Sequence, residues 1–105
     1  MKTILRLEFD FNFFPEDYTG PRFIKLIDPT VIPATGDIVH IRMEEFFDDA
    51  QVIRNLEDVA EDQVFYAERL NTIFGKNETE VIVVVYEEAT FKEAFPRFFN
   101  ASELV

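Results

Sequence analysis

The feature that most constrains the fold is a strict alternation of apolar and polar residues near the start of the chain. Between Thr3 and Phe13, every second residue from Leu5 onward is Leu or Phe, and the residues between them are charged or polar. A period of two indicates a β-strand with one face against the core. The chain also contains 13 Phe and 3 Tyr, and aromatic residues favour sheet. We therefore expect a mainly β protein.

Four more segments have the pattern of strands, and two have the pattern of helices. The segment 80–88 is apolar on both faces, which indicates a central strand. An apolar stripe at helical spacing predicts one inserted helix over about 48–61. Thr90 followed by Glu93 fits a capping box, so we expect a short C-terminal helical turn that ends near Pro96. The other predicted strands are 22–27, 37–43 and 64–74.

These elements predict a single domain over residues 1–105, of the α+β class and mainly β. We expect about five strands in a small, strongly bent antiparallel sheet or a partly open barrel. The run from Pro33 to Ile41, with Gly36, Asp37 and Val39 at their spacings, is similar to the strand entry of many small SH3-like barrels. Because unrelated families share that pattern, it supports an SH3-like barrel and no particular family.

The composition excludes several kinds of chemistry. The chain has no cysteine, which excludes disulfides, thiolate metal sites and a cysteine nucleophile. Its three glycines, Gly20, Gly36 and Gly75, do not form a phosphate-binding loop. The net charge of −11 repels nucleic-acid phosphates and anionic membranes. We therefore expect no cofactor, no direct nucleic-acid binding and no membrane binding.

The N-terminal segment begins like a signal peptide, but Arg6, Glu8 and Asp10 interrupt its apolar run. We interpret this segment as a strand and expect a cytoplasmic protein. No segment approaches the roughly 18 consecutive apolar residues of a membrane span.

The only histidine is His40. A histidine that acts as a base normally needs a nucleophile and an orienting group, and the chain offers a single serine, Ser102, and no cysteine. We therefore interpret His40 as a structural residue on a strand wall, and we assign no catalytic or metal-binding residue.

Acidic residues are concentrated between Glu44 and Asp62. This block contains eight carboxylates against one arginine, Arg54, a net charge of −7. No glycine lies within the block, so it does not match a calcium-binding loop. A solvated helix face and an acidic docking surface both remain consistent with it.

Phenylalanine is more abundant than a core of this size readily accommodates. The phenylalanines outside the strands would either form an exposed docking patch or fold back and plug an open end of the barrel. Both interpretations remain open at this point.

Together these features predict a non-enzymatic protein-interaction or assembly module. Aromatic side chains would anchor a protein partner, a basic one, which an acidic rim would select, and we also expect a homo-oligomer. Two alternatives stay open: an acidic mimic of nucleic acid that inhibits a nucleic-acid-binding protein, and a small-ligand binder with His40, Arg42 and Tyr66 at the barrel mouth. The predicted anchors are Phe46, Phe47, Phe95, Phe98 and Phe99, and the predicted rim residues are Glu57, Asp58, Glu61 and Asp62.

Overall fold

The computed structural model describes residues 1–60 and 62–98. These residues form five strands, two α-helices and one 3-10 turn. The strands are β1 (Lys2–Phe9), β2 (Ile24–Ile27), β3 (Ile38–His40), β4 (Val64–Phe74) and β5 (Glu78–Tyr86); the helices are α1 (Ala50–Val59) and α2 (Glu88–Ala94); the 3-10 turn is Met43–Glu45.

All five strands form one curled sheet, a half-barrel with the strand order β2-β1-β5-β4-β3. The mainly β, α+β fold and the partly open barrel are therefore confirmed. The sheet is mixed, since β1 and β5 pair in parallel, and so it corresponds to the partly open barrel rather than to the antiparallel sheet that was its alternative. A parallel pair needs a long crossover between its strands, and the whole of β2, β3, α1 and β4 lies between β1 and β5 in the chain.

The last strand, β5, is central, as its two apolar faces predict. It pairs with β1 on one side and β4 on the other. Val81, Val83 and Val85 are buried on one face, and the alternate residues Ile82 and Val84 are half-buried on the other. The sheet therefore has a main core face and a second face that is only partly covered.

The first strand is shorter than its alternation predicts, because β1 ends at Phe9. Beyond Phe9 the backbone leaves the sheet, and the aromatic side chains of the next residues pack against one another. The rings of Phe13 and Phe14 are stacked with their centroids 4.3 Å apart, and Phe13 meets Phe9 edge to face at 4.9 Å. Edge-to-face and offset packing of this kind contributes about 0.5–1.5 kcal/mol per pair beyond the area buried.

The helix α1 packs against the main core face. Val52 and Leu56 are fully buried one turn apart, as the apolar stripe predicts. The Asp49 carboxylate accepts hydrogen bonds from the backbone N–H groups of Gln51 and Val52, at 2.8 and 3.3 Å, and so caps the helix. The Asn55 amide donates to the Phe13 carbonyl at 2.9 Å. This bond ties the helix to the chain that leaves β1.

The helix α2 packs on the second face of the sheet, which is the face opposite α1. Phe91 is fully buried there, with its ring stacked on Tyr66 at 5.1 Å and edge-on to Tyr86 at 5.7 Å. The helix ends before Pro96, as expected. Its N-cap differs from the prediction: the N-cap residue is Glu87 instead of Thr90, and the Glu87 carboxylate accepts the Thr90 N–H at 3.2 Å.

Candidate docking groove and acidic end

The open side of the half-barrel carries an apolar groove of about 320 Å³. The two outer strands of the sheet, β2 and β3, contribute residues to it, together with β1 and the 3-10 turn. A closed barrel would fill this gap with a further strand or with its own side chains. The residues that line the groove are Leu7, Leu26, Val39, His40, Ile41, Arg42, Glu45 and Phe46.

Phe46 and Phe47 have opposite environments although they are neighbours in the chain. Both follow the 3-10 turn, whose first residue, Met43, is fixed by a hydrogen bond from its N–H to the Gln63 side chain at 3.1 Å. The turn directs Phe47 into the core, where it is 4% exposed and its ring contacts the rings of Phe13 and Phe14. Phe46 faces the groove and is 42% exposed. Of the two predicted anchors, Phe47 is therefore a buried core residue, and Phe46 is the one whose ring is accessible to a partner.

Charged side chains border the groove on the β3 side. Arg42 and Glu45 form an ion pair, with Nη1 and Oε2 3.7 Å apart. His40 is exposed, and it lines both this groove and a second cavity of about 370 Å³ that it shares with Arg42 and Asp62. Tyr66 was expected beside His40 and Arg42, but its ring lies under α2 instead.

The acidic block of the sequence lies on the outer surface of the 3-10 turn and α1; we refer to residues 44–62 as the acidic end. Two of its carboxylates have structural partners, since Asp49 caps α1 and Glu45 pairs with Arg42. Among the described residues, the other carboxylates of the block form no ion pair; they are Glu44, Asp48, Glu57, Asp58 and Asp62. Glu61 lies outside the described residues.

The acidic surface continues from α1 towards α2. Asp62 lines a small cavity of about 160 Å³ together with Glu87 and Glu88, between the end of α1 and the start of α2. Glu88 is paired with Lys92 at 2.7 Å, and that hydrogen bond raises the pKa of the Lys92 ammonium group. Among the described rim residues, Asp62 therefore lines two cavities, one beside His40 and Arg42 and one beside the start of α2.

The C-terminal phenylalanines are buried to different extents. Phe91 is fully buried, Phe95 is half-buried and Phe98 is 47% exposed. Phe95 and Phe98 line a separate cavity of about 340 Å³ with Thr35 and Arg97. Because α2 packs on the second face, this cavity and the docking groove lie on opposite sides of the sheet. The structure therefore does not bring Phe46 together with Phe95 and Phe98, and Phe99 lies outside the described residues.

A cluster that the sequence did not predict joins β1, β4 and β5 on the second face. The Tyr86 hydroxyl donates to Glu68 Oε1 at 2.6 Å. Burial, this hydrogen bond and the charges of Glu68 and Asp10 raise the pKa of Tyr86. Burial, and then the nearby charge of Glu68, raise the pKa of the Asp10 carboxyl. The sheet pairing brings these residues together: Glu68 on β4 and Tyr86 on β5 belong to consecutive strands, whereas Asp10, directly after β1, is more than fifty residues away from both.

Within the part of the chain that the structure describes, no three His, Asp or Glu side chains are arranged to hold a metal ion. The helices of the same residues are also too short or too polar to cross a membrane.

Comparison of the chain with protein-family models, with curated proteins and with solved structures gives no match.

Proposed function

We propose that this protein is a non-enzymatic protein-interaction module that binds a basic partner in the groove beside its acidic end. The observation that carries the proposal is the position of the exposed Phe46 ring, in an apolar groove that shares His40 and Arg42 with the cavity lined by Asp62, a carboxylate with no ion pair among the described residues.

The groove supplies the apolar contact. Phe46 forms its outer wall, and Leu7, Leu26 and Ile41 are buried or half-buried beneath. Aromatic residues in well-desolvated pockets dominate the binding free energy of protein interfaces. A volume of about 320 Å³ accommodates one or two apolar side chains of a partner.

The charge determines which partner is favoured. The acidic end carries a net charge of −7, and its free carboxylates attract lysine and arginine side chains. Such attraction accelerates encounter and disfavours acidic competitors. The favoured partner segment therefore carries an apolar side chain that is flanked by basic residues. Glu57 and Asp58 on α1 and Asp62 near the groove are the rim residues in this arrangement.

The proposal is tested by capture of partners from the cell of origin with two matched variants. Phe46→Ser removes the groove wall, whereas Phe74→Ser removes a ring that is 82% exposed at the far end of β4. We expect Phe46→Ser to weaken binding by about tenfold or more, as loss of a central aromatic anchor does. Phe74→Ser should bind like the wild type.

Two further results bear on this test. The captured partner should dissociate when the salt concentration rises from about 0.1 to 1 M, because the Debye length then falls from about 10 to 3 Å. If binding instead survives Phe46→Ser and is lost in the double variant Phe95→Ser, Phe98→Ser, the groove is not the docking site and the C-terminal surface is.

A second candidate function, an acidic mimic of nucleic acid, is favoured by one observation. Five carboxylates of the acidic end have no ion pair among the described residues and present negative charge as phosphates do. In that case duplex DNA would compete with the protein for its partner. Indifference of the complex to DNA would reject the mimic and leave the groove proposal intact.

A further inference from the structure

The cavity beyond the C-terminal end of α2 differs in charge from the cavities described above. It has a volume of about 340 Å³, and it is lined by Thr35, Phe95, Arg97 and Phe98. The docking groove and the two cavities that Asp62 lines each have at least one carboxylate in their lining. Among the described residues, no acidic side chain lines this one, although the chain has 21 acidic and 10 basic residues. The cavity is therefore a locally basic site on a strongly acidic protein.

One wall of the cavity is a loop that hydrogen bonds fix to β4. The Arg69 N–H donates to Thr35 Oγ1 at 3.0 Å. The Arg69 guanidinium donates to the carbonyls of Pro33 and Ile32, at 3.2 and 3.1 Å. The Gly36 N–H donates to a carbonyl of β4 at 2.9 Å. These bonds place a second guanidinium beside the loop, and a wall that is already ordered lowers the entropy cost of binding a ligand.

The other wall of the cavity is aromatic. The rings of Phe95 and Phe98 meet edge to face with their centroids 6.2 Å apart. Phe98 packs directly on the backbone of Gly36, because a Cβ at this glycine would lie 2.7 Å from the ring. Phe95 is half-buried, and its ring contacts those of Tyr86 and Phe91. The two rings therefore give the cavity an apolar surface between the loop and the end of α2.

The cavity also contains two hydrogen-bond donors that have no acceptor among the described residues. Thr35 Oγ1 accepts the Arg69 N–H, which leaves the hydroxyl hydrogen of Thr35 to donate to a ligand. The Arg97 guanidinium forms no ion pair or side-chain hydrogen bond with the residues that the structure describes. Asp37, the acidic residue of this loop that is nearest to Thr35 in the sequence, directs its carboxylate to the Ala34 N–H at 2.8 Å.

Two donors beside two aromatic rings select a ligand that has an anionic end and an apolar body. A guanidinium pairs with a carboxylate through two parallel hydrogen bonds, and charge-assisted bonds of this kind are about twice as strong as neutral ones. The net charge of −11 disfavours a dianion, such as a phosphate monoester, more than it disfavours a monoanion. At about 340 Å³ the cavity is at the small end of the range for ligand sites.

We propose that this cavity binds a small monocarboxylate with an apolar body. The carboxylate accepts hydrogen bonds from Arg97 and Thr35, and the apolar body packs against the rings of Phe95 and Phe98. This ligand site is independent of the proposed docking of a protein partner, because the cavity and the docking groove lie on opposite sides of the sheet.

Titration of the full chain with phenylacetate, followed by the NMR chemical shifts of the backbone amides, tests this proposal. We expect saturable shifts at Thr35, Gly36 and Arg97, with a Kd of about 1 mM for a ligand of this size. Arg97→Gln should weaken binding by about tenfold or more, because it removes a charge-assisted hydrogen bond. Arg54→Gln makes the same change of charge at an exposed position of α1, on the other side of the sheet, and should bind like the wild type.

Phenylacetamide provides a second test that requires no variant of the protein. It has the same aromatic body without the negative charge, so the wild type should bind it about tenfold more weakly than phenylacetate. Arg97→Gln should bind the two compounds alike, because the group that distinguishes them is absent. Equal affinities of the wild type for both compounds, or equal weakening by Arg54→Gln and Arg97→Gln, would overturn the proposal. Absence of saturable shifts at Thr35 and Gly36 would overturn it as well.

Discussion

At the scale of single residues, burial separates side chains that the sequence presents as equivalent. Phe46 and Phe47 are adjacent and chemically identical, yet one lines the groove and the other belongs to the core. The direction of each ring is set by the 3-10 turn, and the turn depends on a hydrogen bond to Gln63, twenty residues later. The periodicity of the sequence does not reveal a contact between residues this far apart, so the sequence alone could not distinguish the environment of Phe46 from that of Phe47.

The contrast predicts a difference in stability between two matched variants. Phe47→Ala leaves a cavity in the core and should lower the free energy of unfolding by about 3–5 kcal/mol. Phe46→Ala removes a ring that is already half in water and should cost less than about 1 kcal/mol. Urea unfolding of both variants measures the difference, and equal losses would contradict the assigned environments.

The cluster of Asp10, Glu68 and Tyr86 predicts a dependence of stability on pH. Folding raises the pKa of Asp10, so the protonated carboxyl is favoured in the folded state. The stabilisation from protonation is fully present below the ordinary pKa of about 3.8 and is lost as the pH rises through the raised value.

Asp10→Asn removes this charge, and it should therefore raise the melting temperature at pH 7. Because Asp10 is exposed, we expect a gain of a few tenths of a kcal/mol, about 1–3 °C. The gain should disappear below pH 3.8, where the wild-type carboxyl is also neutral. Melting curves across this range test the prediction, and a gain that persists in acid would exclude electrostatic relief as its cause.

At the scale of elements, local pattern predicted the existence of every strand and helix better than their ends. The strand β4 begins and ends where its composition indicates, at Val64 and Phe74. Its pairing with β5 is interrupted by a register shift between Arg69 and Asn71. The strand β1 is shorter than its alternation, because aromatic packing beyond Phe9 competes with the ladder.

The C-terminal phenylalanines have two different environments, and neither is the open side of the half-barrel: Phe91 of α2 is buried on the second face of the sheet, and Phe98, beyond the helix, is half-exposed. Phe91→Ala should cost about 3–5 kcal/mol, because the ring is fully buried against Tyr66 and Tyr86. Phe98→Ala should cost less than about 1 kcal/mol, because the ring is 47% exposed. Thermal unfolding compares the two, and similar losses would mean that Phe98 belongs to the core.

At the scale of the whole molecule, strand order was the property that local pattern could not supply. The five strands and the central position of β5 follow from composition, but the parallel pairing of β1 with β5 depends on contacts between residues more than seventy positions apart. The groove depends on the same order, because β2 and β3 face it only as the outer strands of the curled sheet. The concentration of negative charge in residues 44–62, by contrast, follows directly from the sequence.

The most direct test of the groove as the docking site is site-specific cross-linking in the cell of origin. A photoreactive phenylalanine replaces Phe46 in one variant and Phe74 in a matched control. If the groove is the docking site, the probe at position 46 should capture a positively charged protein, with a yield that falls at about 1 M salt, and the probe at position 74 should not capture it. No capture at position 46, or equal capture of the same protein at both positions, would contradict it.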